Sequence, residues 1–341
     1  MKYTKYFYII YTLVIIALTV YFSIKIINPI ATITGKFSFP IQNAKQTISN
    51  EESLLRELKK YNSVPDEIRS KTGHNYRNSE GFQDYEHEII KPNKIFRIIT
   101  LGDSFTEGAW ILINDTWPKQ LERKLNQLNT SQFEVLNFGR GGAGTLEELK
   151  IFKENALKYN SDMVILLYYP NDWEDTLQIK KRANELWSMY KNGSFKFPVD
   201  VEEKIKELNA SEADVSRLVM QVATEEFWDY ANQRGIENIW KESVETPLSE
   251  LISICNERKI DLIVLGLDLD KNQMSKQYDK TLNNFLEKNK VPFLDLTSYF
   301  PYNNELRLPD GHLSEKGYDL LSTKLLEFLF QSNKITKIKT R

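Results

Sequence analysis

The sequence predicts an α/β fold, a three-layer α/β/α sandwich around a central, mainly parallel five-stranded sheet, with an N-terminal transmembrane helix and a helical insertion added. Three observations carry this reading. Five apolar runs of strand length recur between Ile95 and Leu296, and several lack the polar alternation of a sheet with one wet face, as expected of strands buried on both sides. Segments of helical period separate them, and parallel neighbours need such crossovers. Ahead of them, residues 6–24 contain no charged side chain, and a helix of that length spans about 28 Å, close to a bilayer core.

Taken in order, residues 1–27 read as a cytoplasmic end and membrane anchor. Tyr6, Tyr8, Tyr11 and Tyr21 lie towards the ends of the apolar stretch, where interfacial aromatics settle. Lys2 and Lys5 precede it and Lys25 follows, which orients the N-terminus inward and the body outward, in an extracytoplasmic position. A cleaved signal peptide is the rival; its apolar core would be shorter, and no small-x-small site follows here. Residues 28–90 are polar and irregular, with turn signals at Asn28-Pro29, Asn62–Pro65 and Thr72-Gly73. They read as a stalk and lead-in, with a short helix over Glu51–Tyr61.

The main domain is expected over residues 91–333. Ile95–Leu101 forms the first strand, and Trp117, Leu121, Leu125 and Leu128 mark one face of the helix after it. Phe133–Leu136 is the second strand, followed by a helix from Leu146 to Leu157. Met163–Tyr169 is a third, almost wholly apolar strand. Asp261–Leu267 is the fourth, preceded by a helix over Leu248–Arg258, and Val291–Leu296 is the fifth. Ser314–Phe330 closes the domain as an apolar helix. Between them, residues 173–246 carry no strand signal but long charged segments with Trp187, Trp228 and Trp240. Two or three helices fit, split near Asn192-Gly193 and Pro198, forming either a unit with its own small core or a lid over a site at the strand ends. Residues 334–341 are a basic, solvated tail.

Composition narrows the function classes. A net charge of −2 gives no basic footprint for nucleic acid. The single cysteine, Cys255, cannot close an intramolecular disulfide and reads as a small buried apolar residue. With no Cys/His cluster, neither a metal site nor a cofactor is expected.

Four stretches carry residues able to do chemistry. Leu101-Gly-Asp-Ser-Phe-Thr-Glu-Gly108 follows the first strand. Ser104 stands there either as a helix cap or as a nucleophile, and Thr106 occupies the second glycine position of a Gly-x-Ser-x-Gly elbow. Asn137–Thr145 holds four of the 14 glycines. It reads as a flexible loop, as a phosphate cradle lacking the Gly-Lys-Ser/Thr of a P-loop, or as a backbone that approaches a substrate carbonyl. Asn171-Asp172 follows the third strand as a turn or as an amide donor. His312, one of three histidines, lies two residues after Asp310 in the loop before the last helix; a bond between them would fix the imidazole tautomer.

These four stations, in this order, resemble the four blocks of the SGNH hydrolase (GDSL-like esterase, lipase and acyltransferase) superfamily, in a bacterial membrane-anchored form. The lead-in Asn78–Asp84 with Lys91-Pro92 resembles the segment preceding its first strand. The resemblance implies a flavodoxin-like sheet order, Ser104 as nucleophile, His312 as base and Asp310 as the acid behind it. It implies an oxyanion hole made by the N–H groups of Ser104 and Gly142 and the amide of Asn171. Two positions depart from the pattern: Tyr169 stands where a glycine usually precedes the Asn, and Pro309 where the triad Asp usually stands, with Asp310 one residue closer. The expected activity is hydrolysis of an acyl ester, an O-acetyl group among the candidates, on a cell-envelope glycan or lipid. Transfer of the acyl group to a glycan hydroxyl, and non-catalytic glycan binding on the same fold, are the alternatives.

Overall fold

The structure is a computed structural model; it describes residues 54–55, 77–128, 132–172, 176–269, 273–303 and 305–334. The anchor expected over residues 6–24, the stalk and nearly all of the basic tail lie outside the described residues, as does most of the helix expected at 51–61. Among the described residues no helix is long and apolar enough to cross a membrane.

Strand β1 (Ile95–Gly102) is followed by a one-turn helix α1 (Ser104–Glu107) and by α2 (Trp117–Asn126), which carries proline in its first turn, where no backbone donor is lost. Then come β2 (Gln132–Asn137), α3 (Thr145–Ile151) and β3 (Met163–Tyr168). The insertion supplies α4 (Thr176–Lys191), α5 (Val199–Glu207), α6 (Glu212–Arg234) and α7 (Ile236–Trp240). Helix α8 (Thr246–Arg258), β4 (Asp261–Gly266), α9 (Gln273–Lys288), β5 (Phe293–Asp295) and α10 (Glu315–Gln331) complete the domain.

All four strand pairings are parallel, in the order β2-β1-β3-β4-β5. Alternate side chains along each strand face opposite layers. Ile99, Leu101, Leu136, Val164, Leu166, Leu262 and Val264 pack beneath α3, α8 and α9 through Leu149, Leu251, Cys255, Leu282 and Leu286. Ile98, Val135, Ile165, Leu167, Ile263 and Leu265 face α2 and α10 through Trp117, Leu121, Leu125, Tyr318, Leu321 and Leu325. This is the three-layer sandwich that the sequence predicts. Cys255 is buried in it, with its thiol pushed up to about 12 by that burial.

Several boundaries differ from expectation. The helix expected through Leu157 is α-helical only to Ile151; it widens into a π turn over Phe152–Ala156 and ends in a short 3-10 turn. The fifth strand shrinks to three residues, because Pro292 has no N–H to give the ladder and contributes only its carbonyl, to Val264. Helix α9 is an addition to the expected elements. Met274, Tyr278, Leu282, Phe285 and Leu286 recur along it at helical spacing, and a crossover between β4 and β5 requires a helix there. The insertion packs a core of its own: Ile179, Ala183 and Leu186 of α4 and Leu218, Val219 and Val222 of α6 are buried outside both sheet-facing layers. Arg182–Glu226 joins α4 to α6, and Lys180–Glu147 ties α4 to α3.

Sequential strands diverge from β1: β2 lies on one side of it and β3 on the other. The loops after β1 and β3 therefore open a crevice at the carboxyl edge, where open α/β sheets place their ligands.

Candidate active site

Strand β1 reaches the crevice through Gly102, whose φ of +148° favours glycine. A Cβ there would lie 2.2 Å from Thr106 Oγ1 and 3.0 Å from the Leu167 carbonyl. Asp103 caps α1, its side chain accepting from the Phe105 N–H at 2.9 Å. The capping task therefore falls to Asp103, and the Ser104 hydroxyl is not spent on it. The hydroxyl points at His312, with Oγ 2.9 Å from Nε2.

The other ring nitrogen, Nδ1, lies 2.8 Å from Asp310 Oδ2. Asp310 Oδ1 accepts from the His312 backbone N–H at 3.1 Å, and the Trp110 indole donates to Oδ2 at 2.6 Å. Burial raises the Asp310 carboxyl, but the hydrogen bond and charge of His312, its N–H and Trp110 overcome this and hold it below the usual carboxylate value. The shortened spacing works because Gly311, at φ +95°, folds the chain back on itself. The Leu308 N–H bonds to the His312 carbonyl, and Gly311 N–H to that of Leu308. Asp310 thus reaches the ring from two residues away, and Pro309 stands outside the relay.

The glycine loop packs against α1. A Cβ on Gly139 would meet Glu107 N at 2.2 Å, so only glycine allows this approach. The Asn137 side chain accepts from Gly139 N–H and donates towards the Gln83 and Glu107 carbonyls, while Gly141 N–H donates to Glu107. A Cβ on Gly141 would sit 4.0 Å from Ser104 Cβ, which puts the loop beside the serine. Gly142 follows at φ +65° with open space around it. Among the described residues neither its N–H nor that of Ser104 is engaged in a hydrogen bond.

Behind this loop, the lead-in residues are part of the site. Phe82 is fully buried and packs edge-on against Phe138 at 4.8 Å. Asp84 accepts from Asn137 N–H at 2.7 Å and pairs with Lys119 at 2.7 Å. Burial raises the Asp84 carboxyl, but His87, Lys119 and the Asn137 N–H more than reverse this.

Asn171 follows β3, and Asp172 closes the turn by accepting from Tyr169 N–H. The Asn171 amide lies beside the Asp103 carboxyl, while its Oδ1 is buried without a hydrogen-bond partner. Burial is the main influence on Asp103, and Glu107 adds to it; the Phe105 N–H, the His312 charge and Asn171 only partly compensate, leaving it raised to about 6. Next to it, Glu148 is 1% exposed with both carboxyl oxygens unpartnered. Burial, then the charges of Asp103 and Glu147, push Glu148 well above the ordinary range. Among the described residues, no group of three or more His, Cys, Asp or Glu is placed to hold a metal ion.

The structure therefore brings Ser104, His312 and Asp310 into one hydrogen-bonded line and sets Gly142 and Asn171 on the two adjoining loops. Trp110, Phe105, Asp103 and Glu148 join the site without a sequence expectation. The Trp110 signal is the hardest to read, since it depends on φ +63° in a non-glycine residue.

The family model for GDSL-like lipase/acylhydrolase matches residues 100–320, from β1 into the last helix. The chain belongs to this GDSL-like family. This acylhydrolase is an ester-hydrolysing enzyme. Solved structures similar to it include a G-D-S-L family protein from Desulfitobacterium hafniense DCB-2, at 15% identity over 68% of this chain and 99% of that one, with a TM-score of 0.43. A psychrotrophic esterase from Pseudoalteromonas sp. shows 12% identity over 70% and 98%, TM-score 0.42. An acetyl xylan esterase shows 15% identity over 68% and 98%, TM-score 0.38. No curated protein matches the acylhydrolase in sequence.

Proposed function

We propose that this acylhydrolase is a serine esterase in which Ser104 is the nucleophile, His312 the general base and Asp310 the group that orients and stabilises the imidazolium. The observation that carries this reading is the unbroken line from Ser104 Oγ through His312 to Asp310, at 2.9 and 2.8 Å, within the reach that proton transfer needs. Nε2 takes the hydroxyl proton as Oγ bonds to the ester carbonyl carbon. The carbonyl oxygen becomes an oxyanion, which the N–H groups of Ser104 and Gly142 and the Asn171 amide are disposed to hold. The tetrahedral intermediate collapses, the alkoxide leaves with the proton from His312, and Ser104 carries the acyl group. Water, deprotonated by the same imidazole, attacks in turn; the acid departs and the hydroxyl is restored.

The substrate we propose is an acyl ester, an O-acetyl group in the first instance, on a cell-envelope glycan or lipid. Its support is contextual: the apolar run at residues 6–24 has the length of a single-pass anchor and would hold the catalytic body at the outer membrane face. Recovery of the full chain in the soluble fraction, unprocessed, would remove that support.

Two measurements test the chemistry. Turnover of p-nitrophenyl acetate should fall by about 10³-fold or more in Ser104→Ala and His312→Ala. A fluorophosphonate should label the wild type and not Ser104→Ala. A silent Ser104 beside full binding of an acetylated glycan would instead favour a binding role. Recovery of the acyl group on a glycan hydroxyl rather than as free acid would favour transfer.

A further inference from the structure

Beside the catalytic loop stands an aromatic ring that is exposed and yet fixed. Tyr302 is 61% exposed. Its hydroxyl donates to Asp268 Oδ2 at 3.2 Å, and the Arg307 guanidinium lies 4.4 Å from the ring centroid, covering one face. Arg307 and Asp268 form an ion pair, both about 3% exposed. Burying two charges is costly unless each is well bonded. Arg307 also donates to the carbonyls of Gly311 and Phe300. Asp268 holds a left-handed backbone, φ +57°, at the end of β4, and such conformations persist where the surroundings over-determine them. The ring is thus pinned by two groups, the Asp268 carboxylate and the Arg307 guanidinium, and a broad aromatic surface is left towards solvent.

Its position relates it to the reaction. A Cβ on Gly311 would lie 3.9 Å from Tyr302 Cε1, so the ring flanks the turn that carries Asp310 and His312. Tyr169, which stacks on Phe105 at 4.5 Å, shares the Asp268 carboxyl with Tyr302; Phe105 in turn packs 5.0 Å from the His312 ring. In a serine-esterase cycle the departing oxygen takes its proton from His312, so the alcohol half of the ester must leave past this imidazole. The acyl half is bonded to Ser104. The surface beside the His312 turn therefore faces the alcohol.

We infer that Tyr302 is the platform of a leaving-group subsite that stacks a sugar ring of the alcohol being released. The inference rests on the serine-esterase reading and deepens it by naming the chemistry of the alcohol. A pyranose presents a flat patch of C–H groups to an aromatic face and hydroxyls to its edge. The rim here is polar, with the exposed Asn303 and Glu305 close to the ring in the chain. A lipid alcohol would need a continuous apolar trough, and one ring in polar company does not supply it.

The test compares two esters with the same acyl group, methyl 6-O-acetyl-glucopyranoside and ethyl acetate, in the full chain. The ratio of kcat/KM for the sugar ester over ethyl acetate should fall about three- to tenfold in Tyr302→Ala, and be largely kept in Tyr302→Phe, which preserves the ring. An unchanged ratio, including one in which both esters lose rate together through damage to the turn, overturns the subsite. A second arm does not need turnover: calorimetric titration of the same sugar ester into Ser104→Ala and into Ser104→Ala/Tyr302→Ala. Equal affinity in the two overturns the subsite even if the esterase is active. Weaker binding in the double variant supports it even if the wild type proves inactive, an outcome that would count only against the serine-esterase reading.

Discussion

Replacing Asp103 by Asn probes the buried carboxyl that caps the nucleophile's helix. Its pKa is raised from 3.8 to about 6, chiefly by burial. A carboxyl raised on folding keeps, in the folded state, a proton that the unfolded chain gives up. Its contribution is therefore fully present below about pH 4 and is lost as pH rises through about 6. The rise is roughly a hundredfold in proton affinity, or about 3 kcal/mol. Asn cannot ionise, and its Oδ1 can still accept from Phe105 N–H. Relative to wild type, Asp103→Asn should gain stability between pH 4 and 6.5, reaching up to about 3 kcal/mol at pH 7.5. Urea denaturation at pH 4, 5, 6 and 7.5 measures it, as a midpoint shift on the order of 1 M at the highest pH. A stability difference that is the same at pH 4 and pH 7.5 would refute the reasoning, as would a variant less stable than wild type at pH 7.5.

Two further outcomes are expected at the relay. Asp310→Asn should keep the fold but lower kcat on p-nitrophenyl acetate by about 10³–10⁴, because the amide leaves the imidazole without an anion to stabilise its charged form; a loss under tenfold would mean that another group orients His312. Because the Asp310 carboxyl is held below its ordinary value, its ionised form, and the stability it lends, persist above pH 3.8 and fail only as pH falls through the lowered value. Trp110→Phe removes the indole donor 2.6 Å from Asp310; a drop of about tenfold in kcat with little change in KM is expected for one hydrogen bond to a charged group, and a change confined to KM would contradict it.

Much of the fold was legible because buried parallel strands announce themselves. Met163–Tyr168 is apolar throughout, and Trp117, Leu121 and Leu125 repeat at helical spacing. What escaped depended on three dimensions. Strand β5 is cut short by a proline whose effect is felt only once a neighbouring strand is known, whereas helix α9 was open to reading, with Met274, Tyr278, Leu282, Phe285 and Leu286 at helical spacing. At the site, the line of hydroxyl, imidazole and carboxylate could be named from Ser104, Asp310 and His312, since their residue types and order are chemically suggestive. What the sequence does not show is the +95° turn at Gly311 that lets Asp310 reach the ring from the shorter spacing. Glu148 and Trp110 were not readable at all. A buried acid inside a charged helix looks like any solvated face, and an indole two hundred residues from its partner leaves no local pattern.

The packing of the lead-in has a consequence for how this protein can be cut or rebuilt. Phe82 and Asp84 are reached by the chain before the first strand begins, yet they form the rear wall of the glycine loop. A shortened chain starting at Lys91 would keep every residue of the relay and still lose that wall. Lys119 would lose its close pairing with Asp84 and keep only Glu122 as an ion-pair partner, 3.6 Å away, and the Asn137 backbone N–H would lose its acceptor. The lead-in is therefore spliced into the catalytic body, so a shortened chain should keep its activity only if it begins upstream of Phe82.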